Sequence, residues 1–131
     1  MLRLETAVAR LANELGGIVR PEEGGRFRVE SEENALQAEL ADQGRIVLAA
    51  ILRPRASQNE RTRLYHQALR LNAARLRTHT NEFTLSVEAR TGETILWCAM
   101  RAQESNETEF LNAAEALLNE VEVWHRYLDS V

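Results

Sequence analysis

The chain has 131 residues and a mass of 14.9 kDa, the size of a single domain. It carries a formal net charge of -4 at pH 7, and its one cysteine, Cys98, excludes an internal disulfide. No window holds the roughly 18 uncharged apolar residues of a membrane span. The charged first segment also lacks the apolar centre of a signal peptide. These features predict a soluble cytoplasmic domain that does not engage a membrane.

The charges are unevenly distributed along the chain. All 16 basic residues are arginine. Residues 45–77 hold eight of them and one acid, Glu60, for a local charge of +7; the remaining residues hold eight arginines and 19 acids, for -11. Such asymmetry indicates either a nucleic-acid surface or a basic element that faces an acidic partner.

Residues 3–15 are predicted to form an amphipathic helix. Apolar side chains recur at the spacing of one helix face, at Leu4, Val8, Leu11 and Leu15. Gly16 and Gly17 end the helix, because glycine readily takes the left-handed conformation at a helix C-terminus. Residues 21–25, Pro-Glu-Glu-Gly-Gly, are interpreted as a turn-rich connection.

Three strands are predicted next, over residues 26–30, 35–40 and 46–52. In the first two, apolar side chains alternate with polar ones, the pattern of a strand with one buried face. Residues 46–52 are apolar throughout, as expected for a central strand that is covered on both faces; a buried helix would look similar, but the seven-residue length and the following Pro54 favour a strand. A turn at residues 42–44 joins the second and third strands, since Gly44 tolerates a positive φ.

A second helix is predicted over residues 58–77. Ser57 and Glu60 form a capping box at its start. Three arginines recur along one side of this helix, at Arg63, Arg70 and Arg77. They form either a solvated face or a contact with an acidic partner segment, and the sequence leaves both open.

The chain closes with a predicted hairpin and a long helix. The hairpin pairs residues 83–87 with residues 94–100. The helix begins at a capping box of Asn106 and Glu109. It carries a regular apolar seam, which we interpret as the cover of the domain's own sheet: Phe110, Ala114, Leu117, Val121, Trp124 and Leu128.

The predicted order is helix, three strands, helix, two strands, helix within one domain, residues 1–131. When helices stand before, between and after groups of antiparallel strands, they can bury their apolar faces by packing on one sheet. The predicted fold class is therefore an α+β sandwich, with helices packed on a mainly antiparallel sheet.

The sequence offers no group of residues typical of catalysis or of cofactor binding. Neither Gly-Gly pair has the spacing or the lysine of a phosphate-binding loop. His66, His79 and His125 have no second histidine or cysteine at ligand spacing, which argues against zinc. Cys98 alternates with apolar neighbours and is predicted to be a small buried side chain. We therefore expect no enzyme, no catalytic residue, no metal and no cofactor.

Four segments together resemble a known family. They are Leu69-Arg-Leu-Asn72, Phe83-Thr-Leu-Ser-Val87, Gly92-Glu-Thr-Ile-Leu-Trp97 and Glu120-Val-Glu-Val-Trp124. Their order and spacing over about residues 64–128 resemble the type III secretion chaperones of the effector-binding, CesT-like (class I) kind. The arginine-rich middle departs from the more even acidity of that family.

The resemblance implies a non-enzymatic homodimer with the element order α-β-β-β-α-β-β-α. Such a protein works in the bacterial cytoplasm, where it binds the N-terminal region of one cognate effector and keeps it extended. Short apolar effector segments lie in hydrophobic grooves, and an added strand can extend the sheet. The complex is then presented to the secretion ATPase.

The candidate binding residues are the apolar side chains of the first helix and its neighbouring strands, which form either a groove or ordinary core. They are Leu4, Val8, Leu11, Leu15, Phe27, Val29, Leu36 and Leu40. The family precedent places the dimer interface near Leu69, Asn72, Leu76 and Trp97, although Leu69 and Leu76 could instead pack internally.

Two other classes of function remain open. The same architecture could serve an adaptor or regulatory protein outside secretion, because fold does not fix function. The arginine-rich residues 45–77 could bind nucleic acid, but the acidic whole and the lack of interleaved aromatic residues argue against it.

Overall fold

The structure is a computed structural model that describes residues 2–52, 83–87 and 93–129, without the side chains of 87 and 126–129. Two helices and six strands lie in these residues. The helices are α1 (Leu4–Leu15) and α2 (Glu107–Asp129). The strands are β1 (Ile18–Glu22), β2 (Arg26–Glu30), β3 (Ala35–Ala41), β4 (Arg45–Leu52), β5 (Thr84–Val87) and β6 (Thr94–Arg101).

The strands form a single antiparallel sheet in the order β1-β2-β3-β4-β6-β5. Both helices pack on the same face, α1 over β1 to β3 and α2 over β4 and β6. The predicted α+β class and the helix-on-sheet arrangement are confirmed. The predicted helix over residues 58–77 lies outside the described residues.

The apolar core lies between the two helices and the sheet. Alternate residues of β4 point into it, and Ile46 and Leu48 are fully buried. From α2, Phe110, Ala114 and Leu117 are also fully buried, while Val121 and Trp124 are 4% exposed. From Phe110 to Trp124 the seam of the last helix therefore covers the protein's own sheet, as predicted, while the side chain of Leu128 lies outside the description.

Local signals place the ends of both helices. Gly16 takes the left-handed conformation at φ 66°, and its N–H and that of Gly17 bond to carbonyls of the last turn of α1. The side-chain carbonyl of Asn106 accepts a hydrogen bond from the backbone N–H of Glu109 at 2.9 Å, which confirms the predicted cap of α2.

β1 is an additional strand that the sequence analysis did not predict. It pairs with β2 over five residues, from Ile18 opposite Glu30 to Glu22 opposite Arg26. The predicted connection at residues 21–25 is therefore shorter, because Pro21 and Glu22 belong to the strand and the turn begins at Glu23. Pro21 argued against a strand in the sequence, because proline within strands is confined mainly to sheet edges.

Candidate functional site

Four of the eight candidate binding residues are part of the core. Val8 and Leu11 on α1, and Val29 and Leu36 on the strands beneath it, are between 1% and 4% exposed. A peptide could reach these side chains only by displacing α1 from the sheet. For these four residues the interpretation as ordinary core fits the isolated chain, although the edge of Leu11 also lines a groove between the two helices.

The other four candidates keep access to solvent. Leu40 is 56% exposed, and Leu4, Leu15 and Phe27 are partly buried against the core. Leu40 lies on the face of the sheet that elsewhere forms the core, and exposed apolar side chains that adjoin one another can mark a partner site.

Leu4, Phe27 and Leu40 lie toward one end of the sheet, and we call them the Leu40 patch. Phe27 is paired with Ala38, so Leu40 is its diagonal neighbour on the same face. α1 begins at this end, because the N–H of Leu2 bonds to the carbonyl of Ala102, just beyond β6. The patch therefore lies at the end of the sheet where α1 begins.

Leu15 lies elsewhere, in a groove between the two helices. This interhelical groove has a volume of about 450 Å³. Its lining comes from Arg10, Leu11, Glu14 and Leu15 of α1 and from Thr108, Leu111, Asn112, Glu115, Leu118 and Asn119 of α2. The sequence analysis missed the α2 side of the groove, because only the position of α2 relative to α1 brings these residues together.

One arginine bridges the two helices beside the groove. The guanidinium of Arg10 lies 3.3 Å from the carboxylate of Glu107 and 3.9 Å from that of Glu14. All three side chains are substantially exposed, so each ion pair contributes little to stability. The two carboxylates instead neutralise Arg10, which is the one basic side chain among the residues that line the groove.

The opposite face of the sheet carries no described helix. Trp97 points to this face, and its indole N–H donates to the hydroxyl of Ser86 at 3.1 Å. It belongs to an apolar row on the neighbouring strands β4 and β6, which we call the central strip: Val47, Ala49, Ile51, Ile95, Trp97 and Ala99. Ala49 and Ile51 are 6% exposed, whereas Ala99 is open to solvent.

Of the four candidate dimer residues, only Trp97 is described. Leu69, Asn72 and Leu76 lie outside the described residues, as do Arg63, Arg70 and Arg77. The structure therefore places one predicted dimer residue on the open part of the central strip.

Charged side chains lie on β1 and β2, on the same face of the sheet as the central strip. Arg20 lies 3.5 Å from Glu30, which lies 3.8 Å from Arg28, and Arg28 reaches Glu93 at 3.8 Å. A further pair joins Arg26 to Glu39 at 3.8 Å. These arginines are matched by carboxylates on the same face, so this part of the sheet lacks the accumulated positive charge that phosphate binding requires.

The described residues give no support for metal or membrane chemistry. Within them, no three His, Cys, Asp or Glu side chains are grouped closely enough to hold a metal ion. Cys98 is 4% exposed and lies in the core, as predicted. In the same ranges, neither helix has the length and apolarity that crossing a membrane requires.

The fold is shared with several solved complexes, two of which are described as chaperone complexes. The ExsC–ExsE complex is 18% identical over 98% of this chain and 97% of the other, with a TM-score of 0.66. The HopA1–SchA chaperone–effector complex is 13% identical over 93% and 92%, with a TM-score of 0.65. The type III secretion chaperone SycH of Yersinia pestis, bound to a fragment of YscM2, is 14% identical over 91% and 97%, with a TM-score of 0.56. At these identities the likeness concerns the fold.

The sequence comparisons decide the family. No curated protein matches the sequence. A family model, that of the Tir chaperone protein (CesT) family, matches residues 6–125, nearly the whole chain. The chain belongs to the Tir chaperone protein (CesT) family.

Proposed function

We propose that this protein is a type III secretion chaperone of the bacterial cytoplasm. It binds the N-terminal region of one secreted effector, holds it extended and delivers it to the secretion ATPase. It acts as a binding protein without catalysis. The observation that carries this proposal is the family match over residues 6–125, together with a fold shared with solved chaperone–effector complexes.

The Leu40 patch is the proposed first contact with the effector. Leu40 is 56% exposed on the face of the sheet that elsewhere forms the core. Burying a leucine of this exposure against an apolar effector side chain contributes on the order of 1 kcal/mol. An extended effector loses conformational entropy when it is ordered, so several such contacts must act together.

The edge of β1 is the proposed second contact. β1 is the outermost strand, so the backbone groups on its outer side have no partner strand among the described residues. Ile18 on this strand is 55% exposed. An extended effector segment can bind such an edge through backbone hydrogen bonds, while its side chains select the register.

Homodimerisation through the central strip is the third part of the proposal. Trp97 and Val47 are only partly buried in the single chain, and Ala99 is open. Large aromatic side chains are enriched at interface centres, because they bury much apolar surface. A second copy that covered the exposed part of this strip, Val47, Trp97 and Ala99, would remove that part from water.

The test of the effector contact is a pair of matched aspartate variants. Leu40→Asp places a charge in the Leu40 patch without opening the core, because the side chain is already 56% exposed. Val123→Asp places the same charge on α2 at a side chain that is 53% exposed. We expect Leu40→Asp to reduce co-purification of the effector about tenfold and Val123→Asp to leave it unchanged. Equal retention by both variants would remove the Leu40 patch from the site.

A further inference from the structure

Two arginines stand directly opposite each other at one end of the sheet, and we call them the arginine pair. Arg45 begins β4 and Arg101 ends β6, and the register places them side by side on the two strands. Residues paired in this way project from the same face, and both side chains are exposed. Like charges directly opposite each other destabilise strand pairing. A feature that breaks a local rule of stability points to a role outside folding.

The charge of the arginine pair is poorly neutralised by the rest of the chain. The three arginines of β1 and β2 each have a carboxylate at 3.5 Å or 3.8 Å. Within the part of the chain that the structure describes, Arg45 forms no ion pair, not even with Asp42 in the adjacent turn. Arg101 lies 3.7 Å from Glu104, but these side chains are 74% and 71% exposed, so water screens their attraction. The arginine pair can therefore accept carboxylates from another molecule.

The neighbouring charges decide between the candidate occupants. Nucleic acid requires positive charge that accumulates along a surface, whereas the arginines of β1 and β2 on the same face are already matched by carboxylates. A second copy that covered the central strip would present the same face, on which Glu30, Glu39 and Glu93 are held by its own arginines. A separate acidic segment brings unpaired carboxylates and has neither restriction.

We propose that the arginine pair binds an acidic segment of a partner protein, with the carboxylates of aspartate or glutamate at the guanidinium groups of Arg45 and Arg101. A guanidinium donates two parallel hydrogen bonds to a carboxylate, which makes this contact both strong and directional. The bound carboxylates would also relieve the repulsion between the two arginines. The site goes beyond the proposed function, because it recognises charge on the face of the sheet opposite α1 and α2, whereas the Leu40 patch is apolar and lies on the helix-bearing face.

The experiment measures the affinity of the protein for a short peptide that alternates glutamate with serine, by fluorescence anisotropy with an uncharged dye. The comparison peptide has glutamine in place of glutamate and should bind at least about tenfold more weakly. Arg45→Gln should weaken binding of the glutamate peptide about tenfold, and Arg45→Gln/Arg101→Gln should weaken it further. Arg10→Gln is the matched control, because it removes the same charge from a side chain that is 50% exposed and already paired with Glu107. It should leave the affinity unchanged.

Thermal unfolding of the same variants separates a binding role from a structural one. Removing one of two like charges should leave the melting temperature of Arg45→Gln unchanged or raise it. A larger fall than in Arg10→Gln would show that Arg45 stabilises the sheet and would overturn the inference.

Three further outcomes would also overturn it. They are equal binding of the two peptides, an equal loss of affinity in Arg10→Gln, and tighter binding of single-stranded DNA than of the glutamate peptide. If light scattering showed that Arg45→Gln changes the oligomeric mass of the protein, the occupant would be a second copy and the inference would be wrong. The peptide measurement needs no effector, so its result is independent of the proposed function.

Discussion

At the residue scale, Gly17 connects α1 to β1 at a point where the chain passes against the backbone of Glu30. A Cβ atom added at Gly17 would overlap the carbonyl oxygen of Glu30. The neighbouring Gly16 has open space around it but needs a positive φ of 66°. The two glycines are therefore required for different reasons, one for close backbone approach and the other for helix termination.

Replacing each glycine by alanine should separate these two reasons. Gly16→Ala should cost about 1 kcal/mol of the free energy of unfolding, the cost of a left-handed alanine. Gly17→Ala should cost more, about 1–3 kcal/mol, because the backbone of β2 must move away. Urea unfolding of the two variants measures the difference. If Gly17→Ala lost less free energy of unfolding than Gly16→Ala, the chain at Gly17 would not lie so close to the backbone of Glu30.

Trp124 gives a second test at the residue scale. It is 4% exposed on the inner side of α2, whereas the adjacent Val123 is 53% exposed on the outer side. Trp124→Ala should lower the free energy of unfolding by about 3–5 kcal/mol, because it leaves a large cavity. Val123→Ala should change it by less than about 0.5 kcal/mol. Thermal unfolding of both variants checks which side of α2 faces the sheet. A larger loss of stability for Val123→Ala than for Trp124→Ala would contradict this orientation.

At the scale of elements, the edge strand β1 contains a proline that limits how a further strand can pair with it. Pro21 stands in register with Phe27, yet the ladder continues through Glu22. Proline is tolerated in a strand where its nitrogen faces solvent, so the missing N–H is on the outer edge. An added strand therefore loses one donor at this position, which restricts where it can pair.

Pro21→Val should restore the missing backbone N–H and make the outer edge of β1 more prone to pair with strands of other molecules. We expect concentration-dependent self-association by analytical ultracentrifugation, because a complete exposed edge is a template for further strands. Glu22→Val is the matched control, since it adds a β-branched side chain without adding a backbone donor. Equal self-association of the two variants would assign the effect to apolar character instead of the restored N–H.

The elements differ in how far sequence alone predicts them. The last helix has both a cap at Asn106 and a regular apolar seam that includes Trp124, so its start and its buried side follow from local chemistry. β1 has neither signal: it is short and contains Pro21, and only its pairing with β2 makes it a strand. The candidate site shows the same contrast, because periodicity identifies Val8 and Leu11 as apolar without distinguishing core from groove. The interhelical groove needs the tertiary position of α2, which no local pattern contains.

At the scale of the whole molecule, the two faces of the sheet have different proposed roles. The face that bears α1 and α2 encloses the core and leaves the Leu40 patch for the proposed contact with the effector. The opposite face carries the central strip, with Trp97 held by Ser86. Separate faces would allow the protein to dimerise and bind its effector at the same time.

Trp97→Glu tests this division. A charge in the central strip should convert the proposed dimer to a monomer, because an unpaired charge cannot be buried in an apolar interface without a large cost. Val123→Glu is the control on the outer side of α2 and should leave the dimer intact. Light scattering after size exclusion measures the mass directly. A dimer that persists in Trp97→Glu would place the interface away from the central strip.

The central claim is that the protein holds the N-terminal region of a secreted effector. The most direct measurement is co-expression of this chain with the product of the adjacent large open reading frame, followed by size exclusion with light scattering and identification of the retained segment. The account predicts a complex of two copies of this chain with one N-terminal segment of the larger protein. A free monomer that retains no part of the neighbouring product would contradict both the dimer and the chaperone function.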